Sequence, residues 1–337
     1  MIDLLVAGGG PAGLATAIHA ALAGLDTVVL EPRPAPIDKA CGEGLMPGAV
    51  RALAALDVPV VGHPIRGIRY LDDRHRAEGR FRHEAGMGVR RTVLHAALSR
   101  RAAELGVPVL AGKVTSVHQD RDSITAAGLT ARYLAAADGL HSPLRRQLGL
   151  ERPDPRPARY GLRRHFAVAP WTDCVEVHWS ALGEAYVTPL GPDRIGVAVL
   201  TGERLPFDAL LPAFPALLHR LTAHSGSAVR GAGPMRRRVR ARVAGRVLLV
   251  GDAAGYIDAL TGEGISLALT GAAHLVRCVR AGRPLDYERA WRRATRDHRL
   301  LTGALVRARV NPLLGPRIVP LATRAPALFT ALVNRLT

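Results

Sequence analysis

Lysine is almost missing from this chain of 337 residues: only Lys39 and Lys113 stand among its 46 lysines and arginines. Aromatic residues make up 4 % of the sequence, and there are three cysteines, Cys41, Cys174 and Cys278. Each shortage excludes something. Three cysteines without a CxxC spacing supply neither a disulfide framework nor a zinc site, and they point to free thiols in a reducing compartment; no metal is expected. So few aromatic residues leave no stacking platform for a nucleic acid. The net charge of +18 therefore reads first as an arginine-biased, solvated surface. Its second reading is attraction of an anionic partner, either membrane lipid or an acidic carrier protein. No apolar run approaches about 18 residues, so no membrane-spanning helix is predicted. The chain opens directly on a strand without a charged leader, which predicts a cytoplasmic protein.

What is present is glycine at particular places. Leu4 to Ala7 is a short apolar run of the kind that makes a buried parallel strand. Gly8, Gly10 and Gly13 follow in the spacing G-x-G-x-x-G, with Pro11 and Ala12 opening a helical pattern to Leu22. Gly8 permits the tight turn, Gly10 lets the backbone approach a pyrophosphate, and Gly13 lets helix and strand pack closely. The helix N-terminus then offers free N–H groups to the phosphates. A second strand, Thr27 to Leu30, ends at Glu31, about twenty residues downstream, where a ribose hydroxyl is held. Later, Arg246 to Val250 reads as a strand ending at Gly251-Asp252, and Gly264 to Ala281 as a helix opened by Gly262-Glu263-Gly264. Such an opening aims bare N–H groups at an anionic ligand.

Between these lies Ala137-Asp138-Gly139-Leu140-His141-Ser142-Pro143-Leu144-Arg145. That segment, with Val247 to Gly255, matches motif for motif the FAD-dependent monooxygenase and geranylgeranyl-reductase-like superfamily, which shares the para-hydroxybenzoate hydroxylase fold. The chain resembles this superfamily over residues 1 to about 300. The resemblance implies bound FAD, with Asp252 holding its ribityl chain. It also implies that Arg91, opening an Arg-x-x-Leu-x-x-x-Leu helix, approaches the ribityl and phosphate region. Arg33, Val114, Asp138 and Ile265 join the expected FAD contacts. One departure is visible: the family's usual Asp-Pro after the late motif is here Asp258-Ala259, which leaves the shape of the pocket open.

The expected fold is α/β. A Rossmann-like FAD-binding domain is read at 1–60, 88–150 and 235–300. An inserted β-sheet substrate domain is read at 61–87 and 151–234, and a short helical segment at 301–337. Strand candidates in the insertion are Tyr160–Val168, Cys174–Ser180, Glu184–Pro189 and Ile195–Leu200, and Leu205–Ala223 has a helical pattern. Alternation in Val175 to Trp179 predicts one buried sheet face and one turned to solvent or ligand. The arginine run 236–242 is expected to alternate on an exposed sheet face. The apolar C-terminal segment is expected to pack on the body, with a membrane-surface contact as the second reading.

Candidate catalytic residues are Cys41 and Glu43, in a Cys-Gly-x-Gly stretch resembling the reductase branch. Cys41 is a proton donor at the flavin or an inert filler; Glu43 is a general acid or a cap of the following helix. His165, His178 and Tyr186 are candidate substrate contacts, with sheet packing as the alternative. The sequence leans to a monooxygenase of hydroxylase or epoxidase type. Its substrate would be a fairly apolar aromatic, polyketide or isoprenoid secondary metabolite. A flavin-dependent carbon–carbon double-bond reductase stands second, and a non-catalytic flavoprotein third. Trp171 and Trp179 do not form the Trp-x-Trp-x-Ile-Pro segment of flavin halogenases, which speaks against that branch. No second glycine fingerprint exists for a nicotinamide, so NAD(P)H is expected only as a transient electron donor, if a partner reductase does not serve instead.

Overall fold

The computed structural model describes residues 1–335; the last two residues of the expected C-terminal segment lie outside that range. Parallel pairing builds the first sheet. The Ile2–Ala7 strand lies between Leu129–Ala136 on one side and Thr27–Leu30 on the other. Val247–Leu249 extends the sheet beyond Leu129–Ala136, and Val109–Leu110 extends it beyond Thr27–Leu30. Leu4, Leu5, Val6, Leu134 and Leu248 are fully buried at its centre. A parallel sheet is covered on both faces and so tolerates such continuous apolar runs. The helix Pro11–Leu22 packs against Gly264–Arg280 and Arg91–Glu104.

A second sheet of seven strands draws on two stretches of chain. Gly67–Leu71 and Arg76–Arg80 come from the first; Cys174–Trp179, Gly183–Gly191, Arg194–Thr201, Tyr160–Phe166 and Arg230–Ala232 come from the second. All pairings are antiparallel except that between Gly67–Leu71 and Cys174–Trp179. A small sheet of Gly44–Leu45, Gly86–Gly88 and His63–Ile65 joins the two bodies.

Three expectations are corrected. The helical pattern at Leu205–Ala223 is not one helix. It splits into Phe207–Leu210, a single 3-10 turn at Leu211–Ala213 and Pro215–Leu221. Pro212 and Pro215 lack the N–H that a continuous helix requires, so the apolar period survives while the hydrogen-bond ladder does not. The strand Cys174–Trp179 has no solvent face, because every residue in it is buried; the second face that the alternation predicts is the ligand one, where Val175 lines a cavity. Val175, Val177 and Trp179 join one apolar cluster; Glu176 bonds to Arg69 and Trp171. The arginine run 236–242 forms no exposed sheet face either. Only Arg238–Val239 is a strand, paired with Glu151–Arg152. Arg237 donates to the Leu140 carbonyl, and buried Arg242 bonds the Ala254 carbonyl and Glu288 with its guanidinium 4.0 Å from the Trp291 ring centre. Guanidinium groups with five donors satisfy loop carbonyls that the sheet leaves open.

The first turn is packed backbone against backbone. A Cβ on Gly13 would lie 1.8 Å from the Gly8 carbonyl oxygen, and one on Gly8 would lie 2.5 Å from the Ala137 oxygen. Gly13→Ala is therefore expected to destabilise the protein by roughly 1–3 kcal/mol through overpacking. The urea unfolding midpoint should fall with flavin content; an unchanged midpoint would contradict this close packing.

Candidate functional site

The ends of the parallel strands and one face of the second sheet enclose a cavity of about 440 Å³. At one end the lining is backbone and charge: Gly8, Gly10, Pro11, Ala12, Glu31 and Arg33, then Arg91, Val114, Asp138 and Asp252. Gly262, Gly264 and Ile265, at the start of the Gly264–Arg280 helix, close this end. That helix has no side-chain cap, so its first N–H groups remain available. Gly13 does not line the cavity; it permits the turn behind it.

Glu31 is buried and accepts hydrogen bonds from the Gly9 N–H at 2.8 Å and from Arg33 on both oxygens. Burial opposes its charge, but the Arg33 and backbone hydrogen bonds outweigh burial and hold the carboxyl below its ordinary pKa. The Arg33 backbone N–H is a fourth donor, at 3.0 Å on Oε1, so the carboxylate's acceptor sites are filled and a ribose hydroxyl binds it by displacing the half-exposed Arg33 guanidinium. Arg91 is also buried. Its Nε has no partner among the described residues, and a Cβ on Gly10 would stand 3.9 Å from its guanidinium. Burial lowers its pKa. Asp138 leaves Oδ1 unpartnered and buried, while Oδ2 accepts from the Leu144 N–H. Asp252 faces the cavity with Lys39 Nζ 3.7 Å away. Buried unpartnered polar atoms are costly without a ligand. A guanidinium beside a glycine turn and carboxylates along the wall fit the pyrophosphate and hydroxyls of FAD.

The Lys39–Met46 segment crosses the middle of the cavity. Cys41 is open to the cavity but otherwise enclosed by protein, and its Sγ accepts the Glu43 N–H at 3.3 Å. Burial pushes its thiol pKa up, while the positive charge of Arg91 opposes that shift. Thr188 holds the segment by donating to the Gly42 carbonyl at 2.8 Å. Glu43 adopts a φ of 60°, uncommon outside glycine. This turn carries its carboxylate down between two other elements. Oε1 accepts the Arg91 N–H at 2.8 Å, and Oε2 lies 2.6 Å from His165 Nε2. Glu43 thus caps a helix, but it is Arg91–Glu104 and not the Pro47–Ala54 helix that follows it in sequence. A guanidinium can only donate, so Arg163, 3.2 Å from His165 Nδ1, makes that nitrogen the acceptor and leaves the proton on Nε2, facing Glu43. Arg163 is itself buried and paired with Asp38.

The other end of the cavity is apolar, lined by Met46, Val175, Tyr186, Ala198, Leu200 and Met235. Of the three candidate substrate contacts, only Tyr186 is here. Its hydroxyl donates to the Leu260 carbonyl at 2.8 Å, and burial keeps its pKa well above the ordinary value. His165 lies behind Glu43 instead of in the wall. His178 lies off the cavity beside Glu176, because alternation along Cys174–Trp179 sends it to the face opposite Val175. The Asp258-Ala259 loop is held without a proline: Asp258 accepts the Leu260 N–H at 3.0 Å and faces Arg159 at 3.4 Å. Arg163, Thr188 and Tyr256 also face or fix the cavity and were missed in the sequence. Tyr256 directly flanks a recognised motif, which is the one signal that could have found it.

Replacing Asp252 with Ala removes a charged acceptor facing the cavity, a contact worth roughly 1.5–3 kcal/mol. FAD affinity is expected to fall about ten- to a hundredfold, measured by titrating apoprotein with FAD. Unchanged affinity would remove Asp252 from the cofactor contacts.

Comparison with known proteins agrees with this geometry. The FAD binding domain family matches residues 1–183. A menaquinone reductase of Mycobacterium tuberculosis is 33 % identical over 373 residues, covering 98 % of this chain and 89 % of that protein. A rifampicin monooxygenase of Streptomyces venezuelae is 28 % identical over 315 residues, covering 82 % of this chain and 63 % of that protein. A geranylgeranyl bacteriochlorophyll reductase-like protein of Thermoplasma acidophilum shares the fold, with a TM-score of 0.80 at 20 % identity, covering 99 % of this chain and 95 % of that one. Glycine turn, buried arginine and uncapped helix thus occur in a chain that belongs to the FAD binding domain family and is an FAD-dependent oxidoreductase.

Proposed function

We propose that the chain is a flavin-dependent carbon–carbon double-bond reductase acting on an apolar, isoprenoid-like substrate. This reverses the order of the two leading readings of the sequence. The observation that carries it is Cys41, a thiol facing the cavity in the segment that links the cofactor end to the apolar end. Saturating a double bond adds two electrons and two protons. Reduced FAD, when bound, supplies the electron pair with one proton. The other proton must arrive separately in a pocket whose far end is apolar.

Cys41 can meet that need. Burial keeps the thiol protonated, so the proton is present when the substrate enters. Once it has left, the Glu43 N–H at 3.3 Å and the nearby charge of Arg91 stabilise the thiolate. The Glu43 carboxylate is held away from this task, engaged by the Arg91 N–H and His165. Tyr186 spends its proton on the Leu260 carbonyl. Tyr256 lines the cavity with its pKa also raised by burial, and it is the competing donor. The similarity to a menaquinone reductase over nearly the whole chain supports the same reading.

Anaerobically reduced protein is expected to be reoxidised by a polyprenyl acceptor without oxygen. Cys41→Ser should slow that step about ten- to ten-thousandfold, the scale of removing a general acid, with FAD still bound. Tyr256→Phe should leave it nearly unchanged. Because the raised thiol pKa preserves the active protonated form, the alkaline limb of the rate profile should lie above the ordinary range of a cysteine thiol. Reoxidation at the wild-type rate in Cys41→Ser would end the donor role. Incorporation of labelled molecular oxygen into product would overturn the reductase in favour of a monooxygenase.

A further inference from the structure

Seven of the sixteen exposed large apolar side chains among the described residues fall between positions 300 and 332. Leu300, Val310, Leu313, Leu314, Leu321 and Leu328 are between 46 and 67 % exposed. Single exposed leucines are ordinary, but a concentration of them marks a contact surface. The charge of this stretch has one sign: from 298 onward the chain contains six arginines and no aspartate or glutamate. Arg309 turns inward to Glu184, and Arg335 reaches Asp297. Arg307, Arg317 and Arg324 are exposed and have no acidic partner among the described residues. Arg307 lies in a wider basic patch with Arg156, Arg236 and Arg238 that contains the acid Asp154; burial, then the charges of the other three arginines, depress the pKa of Arg156.

The inner side of the same segment packs behind the cavity wall. Val306 and Val319 are buried in one apolar cluster with Met46, Tyr186 and Met235, three residues that line the cavity. Thr302 bonds Thr261 at 2.9 Å, and His298 lies 3.3 Å from Glu263, beside the glycines that open the Gly264–Arg280 helix. One short stretch of chain therefore backs the substrate end of the cavity and presents leucine and arginine outward.

We infer that the 300–335 segment docks on an anionic lipid bilayer, its leucines entering the interface and its arginines reaching the headgroups. Leucine beside arginine suits that boundary, where apolar side chains sink and long cationic ones reach back toward the phosphates. The choice of lipid over an acidic protein rests on the apolar substrate proposed above, which dissolves in a bilayer. The docking surface itself requires no particular reaction.

The test is flotation of purified holoprotein with phosphatidylcholine vesicles, with and without one third phosphatidylglycerol. Wild-type protein is expected to float with the anionic vesicles and to be released by salt. Leu313→Ser combined with Leu314→Ser should lower partitioning by about tenfold or more. Arg307→Gln and Arg324→Gln should each lower it about fivefold on anionic vesicles and leave neutral vesicles unaffected. Flavin content and melting temperature should stay unchanged in all of these, because the side chains are exposed. Failure of wild-type protein to bind anionic vesicles at low salt would overturn the inference. So would equal partitioning of the leucine variant, or a dimer in sedimentation that the leucine variant abolishes while vesicles go unbound. The vesicle result is read without turnover, so it stands or falls apart from the reductase assignment.

Discussion

Neither Gly8 nor Gly13 has room for a side chain, and much of the molecule follows from that. The Gly8 carbonyl lies where a Cβ of residue 13 would be, and the Ala137 carbonyl where a Cβ of residue 8 would be. Strand Ile2–Ala7, helix Pro11–Leu22 and the loop after Leu129–Ala136 are thereby drawn to one point. The Asp138 loop, the uncapped helix at Gly264 and the buried Arg91 all converge beside it. An added methyl group at either position would push apart elements that are distant in sequence.

The parts of this fold that were legible in the sequence are those in which local chemistry and global geometry ask for the same residue. A parallel strand at Leu4 to Ala7, glycines at fixed offsets and an acid at Glu31 read directly, because turn, phosphate approach and ribose each constrain one residue type. The legible part of the site is likewise its cofactor end. What was not legible depends on pairs far apart in the chain. Glu43 looks like the cap of the helix after it, yet it caps one 48 residues on, because a left-handed backbone at Glu43 turns its carboxylate away. His178 alternates as a ligand contact would, but alternation alone does not tell which face of a sheet meets the cavity. The helical period of Leu205–Ala223 was real, and two prolines broke the ladder beneath it.

Arginine does unusual internal work in this chain. Arg145 is wholly buried and bonds the carbonyls of Leu140 and Ala253 as well as Glu151. Glu184, also wholly buried, receives Arg159 from the substrate-sheet region and Arg309 from the C-terminal helices. A fork of donors can serve several acceptors at once, which a single ammonium does less well. Five arginines, Arg69, Arg91, Arg145, Arg163 and Arg242, are buried and serve as mortar between segments, while most of the others remain at the surface.

The scarcity of lysine has a consequence of its own. Both side-chain amines of the chain, Lys39 and Lys113, line the cofactor cavity, Lys39 beside Asp252 and Lys113 next to Val114. Acylating reagents, aldehydes and amine cross-linkers act on lysine and leave guanidinium groups largely untouched. Apart from an α-amino group, such reagents become probes of a single place. Their reaction reports on occupancy of the flavin site, and coupling chemistry harmless to most enzymes strikes this one at its centre.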